Sequence, residues 1–289
     1  MRGCCMNSNA KSDWLAYLEL MRISNNPTVI SNTLAGVALA GVSLGDWRVW
    51  LLALAFSLFY SAGMVFNDWC DYAIDQRERP ERPLPSGRVS RNAALVLTIG
   101  LFGIGLACVA LVSWQGLLWA GGLVGLIVVY DLWHKTNPIS PVLMASTRIL
   151  VYLSTIAALG AAFSWQVWLA VGLLFSYVMG FTFIAKSELR PQLKALWPAI
   201  CVLLPIGYAL ITPDFSPILV SVALLSWSLH SIRLVYRQRQ IGPAIGRLIA
   251  GISLFDALVC IVAGNLWACA FAIAAFGLTR LAQRSIQGT

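Results

Sequence analysis

The run Val49-Trp50-Leu51-Leu52-Ala53-Leu54-Ala55-Phe56-Ser57-Leu58-Phe59-Tyr60-Ser61-Ala62-Gly63-Met64-Val65-Phe66 passes without interruption into Asn67-Asp68-Trp69-Cys70-Asp71-Tyr72-Ala73-Ile74-Asp75. The first stretch carries no charge and is close to the length of roughly 20 apolar residues that a helix needs to cross a bilayer core. The second stretch carries three acids within eight positions of Asp68. A span that ends in clustered carboxylates decides two things together: the chain is built for lipid, and something cationic is handled at its edge.

Composition extends the first conclusion to the whole chain. Hydrophobic residues make up 59% of the 289 residues and charged residues 11%, against about 25% charged in soluble domains. So little polar surface cannot cover a water-soluble body, and the same figures exclude a disordered, collagen-like or disulfide-stapled chain. Ten apolar segments have the character of spans, near 27–44, 49–66, 93–112, 115–130, 142–163, 165–185, 195–211, 216–236, 247–263 and 265–280. Turn chemistry marks many joints, as in Ser43-Leu44-Gly45-Asp46, Ser113-Trp114-Gln115-Gly116 and Gly264-Asn265. The expected fold is all-α, a polytopic membrane bundle of nine to ten transmembrane helices. Residues 1–26 are read as a cytoplasmic tail and interfacial helix, and 27–289 as a single transmembrane domain. Within the first part, Trp14, Leu18 and Met21 recur at helical spacing.

The net charge of +8 maps onto topology and gives no support to nucleic-acid binding. Arg77, Arg79, Arg82, Arg88 and Arg91 follow the second span, Lys135 follows the fourth, Lys186, Arg190 and Lys194 the sixth, and Arg237, Arg239 and Arg247 lie around the eighth joint. The alternate connections hold Arg48 alone. By the positive-inside rule both termini and every even-numbered connection are cytoplasmic, which requires an even number of spans. The seven cysteines form no CxxC pair and there are two histidines, so a thiolate- or imidazole-ligated metal is not expected.

Five of the 12 acids, Asp68, Asp71, Asp75, Glu78 and Glu81, lie in the connection after the second span. If the helix runs on, Asn67, Asp71 and Asp75 recur at i, i+4 and i+8 on one face, with Asp68 at its edge. Carboxylates one turn apart in a membrane mouth repel each other unless a cation neutralises them. Oxygen-only ligands select a hard ion, Mg²⁺ or Ca²⁺, and Mg²⁺ takes one or two carboxylates together with phosphate oxygens. The arginines that follow suit phosphate. An amphiphile with a diphosphate head fits such a mouth above an apolar channel. The plain alternative is a solvated, salt-bridged loop.

After the array comes Arg82-Pro83-Leu84-Pro85-Ser86-Gly87-Arg88, where Pro80, Pro83 and Pro85 forbid a continuous helix. Asn-Asp-x-x-Asp-x-x-x-Asp followed by Arg-Pro-Leu-Pro-Ser-Gly resembles the first signature of the UbiA superfamily of intramembrane prenyltransferases. Tyr130-Asp131 through Lys135, after the fourth span, is similar to that family's Tyr-and-Lys connection. The resemblance covers roughly residues 18–263, and the opening Arg22-Ile23-Ser24-Asn25-Asn26-Pro27-Thr28 together with the tenth span is most like the EboC-like subgroup. It implies a helical bundle around a central cavity, an isoprenoid diphosphate donor, an unnamed acceptor, Mg²⁺ as cofactor and surrounding membrane lipids, with other membrane proteins of a cluster as further partners. The implied setting is a bacterial inner membrane with the site on the cytoplasmic side.

On that resemblance Asn67, Asp68, Asp71 and Asp75 are metal ligands, and Asp68, Asp71, Asp75, Tyr130 and Asp131 carry catalysis. Asn67, Arg82, Arg88, Lys135, Arg148, Lys186 and Arg190 contact the donor. The family's second aspartate motif falls at Phe181-Thr182-Phe183-Ile184-Ala185-Lys186-Ser187-Glu188-Leu189-Arg190, which holds one acid, Glu188. Glu188 is thus the remaining candidate ligand there, and Lys186 or Arg190 can meet phosphate directly in place of a metal. A degenerate member that binds a prenyl lipid without turnover, or a transport-associated subunit of a membrane complex, is the competing function. Arg148 and Asp256, deep in the fifth and ninth spans, are expected to face the cavity or each other, and Asn32 and His230 to make helix–helix hydrogen bonds.

Overall fold

The computed structural model of the chain describes residues 10–135, 137–187 and 195–286. Every described regular element is a helix. A short helix α1 (Ala10–Leu20) and a 3-10 turn (Ile23–Asn25) lead into α2 (Pro27–Leu39). Then follow α3 (Trp47–Cys70), α4 (Tyr72–Glu78), α5 (Arg91–Val112), α6 (Trp114–Trp133), α7 (Ser140–Ala158) and α8 (Trp165–Lys186). After α9 (Trp197–Leu203), which passes into a 3-10 turn at Leu204–Ile211, come α10 (Ser216–Gln238), α11 (Ile241–Val262) and α12 (Leu266–Ala282).

Each of the ten apolar segments is a helix, and the joints use the caps their residues offer. Asp46, Ser90, Ser113, Ser164 and Asn265 accept a hydrogen bond from a backbone N–H of the helix that follows, satisfying donors that a helix start leaves open. Seven helices are long and apolar enough to cross a membrane, α3, α5, α6, α7, α8, α10 and α11. The protein is an integral membrane protein. The other three apolar segments are shorter: α2 has 13 residues and α12 has 17, about 20 and 26 Å at 1.5 Å per residue, and Trp197–Ile211 changes from α to 3-10 geometry at Leu204, just before Pro205.

Burial follows position. α11 and α7 are the most enclosed spans, whereas α5 and α6 leave most of their surface outward, with Val96, Leu111, Trp114 and Leu118 among the exposed side chains. Small residues let the inner helices approach closely. A Cβ on Gly251 of α11 would lie 2.2 Å from the Tyr177 hydroxyl of α8, and one on Gly180 would lie 2.6 Å from the Pro198 carbonyl.

α1 packs through Ala16 and Leu20 against Val65, Leu84, Val89 and Ala94. Trp14 and Leu15 point outward, so the apolar face suggested by Trp14, Leu18 and Met21 is divided between the protein and the surroundings. Asn32 is buried and hydrogen-bonded between helices, while His230 is exposed on α10.

Candidate active site at the mouth of the bundle

The acidic array keeps its helical register across a break. Asp71 stands between α3 and α4, yet its N–H donates to the Asn67 carbonyl (2.9 Å), Asp75 N–H to the Asp71 carbonyl (2.9 Å) and Arg79 N–H to the Asp75 carbonyl (2.8 Å). Asn67, Asp71 and Asp75 therefore line one face, and Asp68 joins it. All four side chains are nearly enclosed, at 9%, 5%, 2% and 4% exposure for Asn67, Asp71, Asp75 and Asp68. A solvated loop would not bury them.

Basic side chains from three separate segments neutralise the carboxylates. Arg22 Nη2 donates to Asp68 Oδ1 at 2.8 Å. Arg82 Nη1 reaches Asp75 Oδ2 at 2.7 Å and Asp68 Oδ1 at 3.3 Å. Lys135 Nζ stands 3.1 Å and His134 Nε2 3.4 Å from Asp71 Oδ2. Burial works against the charge on Asp71, but the His134 ring and the Lys135 ammonium hold its carboxyl below the ordinary carboxylate range. Burial likewise opposes charge on Arg22, and the Asp68 carboxylate with its neighbours outweighs it, keeping the guanidinium above its ordinary value. The repulsion expected of the bare array is thus relieved by the protein's own cations as well as by any metal.

The loop that delivers Arg82 is stiffened by its prolines and closed by a turn. Ser86 N–H and Oγ both bond the Arg82 carbonyl, Val89 N–H bonds the Pro83 carbonyl, and Gly87 sits at φ +76°, a left-handed conformation that suits glycine.

Two connected chambers meet at this mouth. The polar chamber, about 580 Å³, is lined by the four array residues together with Arg22, Arg79, Arg82, Tyr130, His134 and Lys135. The second, about 290 Å³, is mostly apolar and runs into the bundle past Phe56, Phe59, Tyr60, Ile127, Val178 and Phe181. Arg22, Met64, Tyr130, Met144, Ala185 and Ile245 line both. Tyr130 stacks on His134 with ring centroids 5.0 Å apart. Beside it, Asp131 accepts a hydrogen bond from Asn67 Nδ2 at 3.1 Å on Oδ1, while its buried Oδ2 has no hydrogen-bond partner among the described residues.

Arg148 lines the apolar chamber, over the Tyr60 ring at 5.4 Å. Its link to Asp256 is indirect: Arg148 Nη1 donates to Asn32 Oδ1 at 3.1 Å, and Asn32 Nδ2 donates to Asp256 at 2.9 and 3.0 Å. Ser31 and Tyr152 hydroxyls complete the buried carboxylate's shell at 2.5 and 2.7 Å.

Nine of the sequence-selected residues therefore gather around the two chambers: Asn67, Asp68, Asp71, Asp75, Arg82, Tyr130, Asp131, Lys135 and Arg148. Arg88 does not join them. The turn at Ser86-Gly87 directs its guanidinium to Glu19 of α1 at 2.8 Å and to the Glu81 carbonyl at 2.9 Å. Lys186 lines neither chamber, and its Nζ donates to the Asn137 carbonyl. Glu188 and Arg190 lie outside the described residues. Sequence reasoning passed over Arg22 and His134 as site residues. Arg22 meets Asp68 across 46 positions, and His134 is marked only by its place one turn after Tyr130.

Oxygen ligands of this kind suit a hard cation. Among the described residues no three acidic, histidine or cysteine side chains converge closely enough to hold an ion by themselves. That pattern fits Mg²⁺, which takes few carboxylates and fills its shell with phosphate and water; Asn67, Asp68, Asp71 and Asp75 would hold it.

The fold and site define a class, a helical membrane bundle with an acidic, arginine-flanked mouth over an apolar chamber. The model of the UbiA prenyltransferase family matches residues 29–284, and the chain belongs to that family. Among curated relatives, the digeranylgeranylglyceryl phosphate synthase of Thermococcus sibiricus is 33% identical over 135 residues, 45% of this chain and 47% of that one. The synthase of Methanopyrus kandleri is 30% identical over 154 residues, 53% of this chain and 56% of that one. The matches span about half the length of these relatives. A UbiA homolog from Archaeoglobus fulgidus bound to GPP and Mg²⁺ shares the fold with a TM-score of 0.66 at 17% identity, over 91% of this chain and 99% of that one. A structure from work on digeranylgeranylglyceryl phosphate synthase in membranes gives 0.60 at 17% identity, over 92% and 99%.

Proposed function

We propose that the protein transfers a prenyl group from an isoprenoid diphosphate to a small or lipidic acceptor inside the membrane, with Mg²⁺ as cofactor. The observation that carries this reading is the junction itself, buried carboxylates and arginines opening directly onto an apolar chamber of a size that takes an isoprenoid chain. Family membership supports the donor class, and the relatives bound to GPP and to DMAPP with Mg²⁺ support the cofactor.

In this mechanism the diphosphate enters the polar chamber and the chain lies among Phe56, Phe59 and Phe181. Arg22 and Arg82 exchange carboxylate for phosphate oxygens, and Lys135 adds a third cation, so that charge developing on the leaving diphosphate meets preorganised donors. Bound Mg²⁺ supplies the positive charge that lets carboxylates and phosphate share one mouth. The allylic carbon left behind lies in a dry chamber, where each aromatic face contributes about 0.5–2 kcal/mol toward a cation. Tyr130 stands at the boundary, and the unpartnered Asp131 Oδ2 takes the proton that the acceptor releases. Arg148 orients an oxygen of the acceptor or donor from below. We place the mouth and both termini on the cytoplasmic side by the positive-inside rule, with α1 at the interface. The finer resemblance to the EboC-like subgroup rests on residues 22–28 and the tenth span; the relatives compared are archaeal, and a bacterial setting draws no support from them.

The test is incubation of purified protein with Mg²⁺, a ladder of prenyl diphosphates and host lipid extract, read by mass spectrometry. A prenylated product is expected and would identify donor and acceptor. A second reading, binding without turnover, is favoured by one observation, the internal pairing of every carboxylate in the array. Labelled donor recovered unchanged on the protein would establish that reading instead.

A further inference from the structure

Away from both chambers, two arginines share one indole. Arg247, in the second turn of α11, lies with its guanidinium 3.7 Å from the Trp227 ring centroid, and Arg280, in the last turn of α12, lies 5.4 Å from the same ring. The ring is fixed on both sides: its Nε1 donates to the Arg247 carbonyl at 2.7 Å, and Phe276 meets it edge-on at 4.8 Å. Among the described residues neither arginine has a carboxylate within ion-pair distance. Arg280 donates to Gln283 Oε1 at 2.6 Å, while the Arg247 Nε is buried without an acceptor. Two like charges gathered around one indole, with no carboxylate to offset them, are an arrangement that an anion completes.

We propose that Arg247, Arg280 and Trp227 form a binding site for the phosphate headgroup of an anionic membrane lipid. The surroundings favour a lipid over a free anion. Leu278 and Leu281, on the outward faces of the same turn of α12, are 57% and 59% exposed, so the cations stand at the edge of an apolar surface suited to acyl chains. Arg280 in the last turn of α12 and Arg247 in the second turn of α11 place the cations near helix ends, where basic pockets are suited to headgroups. Gln283 fixes where the site lies, because its Nε2 donates to Asn25 Oδ1 at 2.9 Å and to the Gly246 carbonyl at 3.0 Å. Asn25 stands three residues after Arg22, the partner of Asp68, so the lipid site occupies the same end of the bundle as the acidic mouth, on a different set of residues. The inference does not depend on the reaction proposed above.

The test is native mass spectrometry of the full chain in detergent, titrated with phosphatidylglycerol or phosphatidylcholine, with inorganic phosphate as competitor. Wild type is expected to retain phosphatidylglycerol in preference to phosphatidylcholine. Arg247→Gln/Arg280→Gln should lose about tenfold or more of that affinity, and Arg280→Gln alone, at the helix end, should show a smaller loss in a chain that still folds. Arg237→Gln, an exposed arginine at the same end, should match wild type. Equal retention by the Arg280 variants, equal loss in Arg237→Gln, or displacement of the lipid by millimolar inorganic phosphate would each overturn the assignment.

Discussion

Arg82 concentrates the logic of the mouth in one side chain. It spans Asp68 and Asp75, so its loss leaves two buried acids short of a cation, and removing one partner of a buried pair costs about 3–5 kcal/mol. Arg82→Gln should therefore lower the midpoint of thermal unfolding and raise the KM for a prenyl diphosphate about tenfold or more. A variant with unchanged stability and unchanged KM would remove Arg82 from both roles. Asp131 makes a narrower prediction: Asp131→Asn keeps the contact with Asn67 and removes the base, so kcat should fall while donor affinity stays within about twofold. The array was legible in the sequence because its spacing is local, four and eight positions from Asn67. Arg22 was not, since nothing near residue 22 announces Asp68 as its partner. Arg88 misled for the opposite reason. It is near the array in sequence, yet the Ser86-Gly87 turn sends it to Glu19.

At the scale of helices, the apolar segments and their caps were readable because hydropathy and Ser, Asp and Asn caps act over a few residues. The close crossings were not readable, since they depend on which helices meet. Gly251 shows what sets one of them: a methyl group there would fall 2.2 Å from the Tyr177 hydroxyl. Gly251→Ala should destabilise the bundle by about 1–3 kcal/mol through overpacking, seen as a lower unfolding midpoint in detergent. Adding Tyr177→Phe, which deletes the intruding oxygen, should recover part of the loss; no recovery would place the strain elsewhere. Helix length also limited the reading. A hydropathy ruler counts ten apolar segments, whereas Pro27–Leu39 has 13 residues, Leu266–Ala282 has 17 and Trp197–Ile211 changes from α to 3-10 geometry, so seven helices meet the length of a full span.

For the whole molecule, the account is one of segregation: 11% charged residues, with carboxylates, arginines and a lysine drawn to one end above an apolar chamber. The two chambers share Arg22 and Tyr130 on their boundary, and the proposed function has them hold a charged head and a hydrocarbon chain at once. The most direct check of that claim is Mg²⁺-dependent release of diphosphate from a prenyl donor by purified wild type and by Asp71→Asn. Asp71 sits in the centre of the array and faces His134 and Lys135. Release is predicted in the wild type and abolished in the variant, with the folded fraction of the two preparations equal. Undiminished turnover in Asp71→Asn would contradict the account.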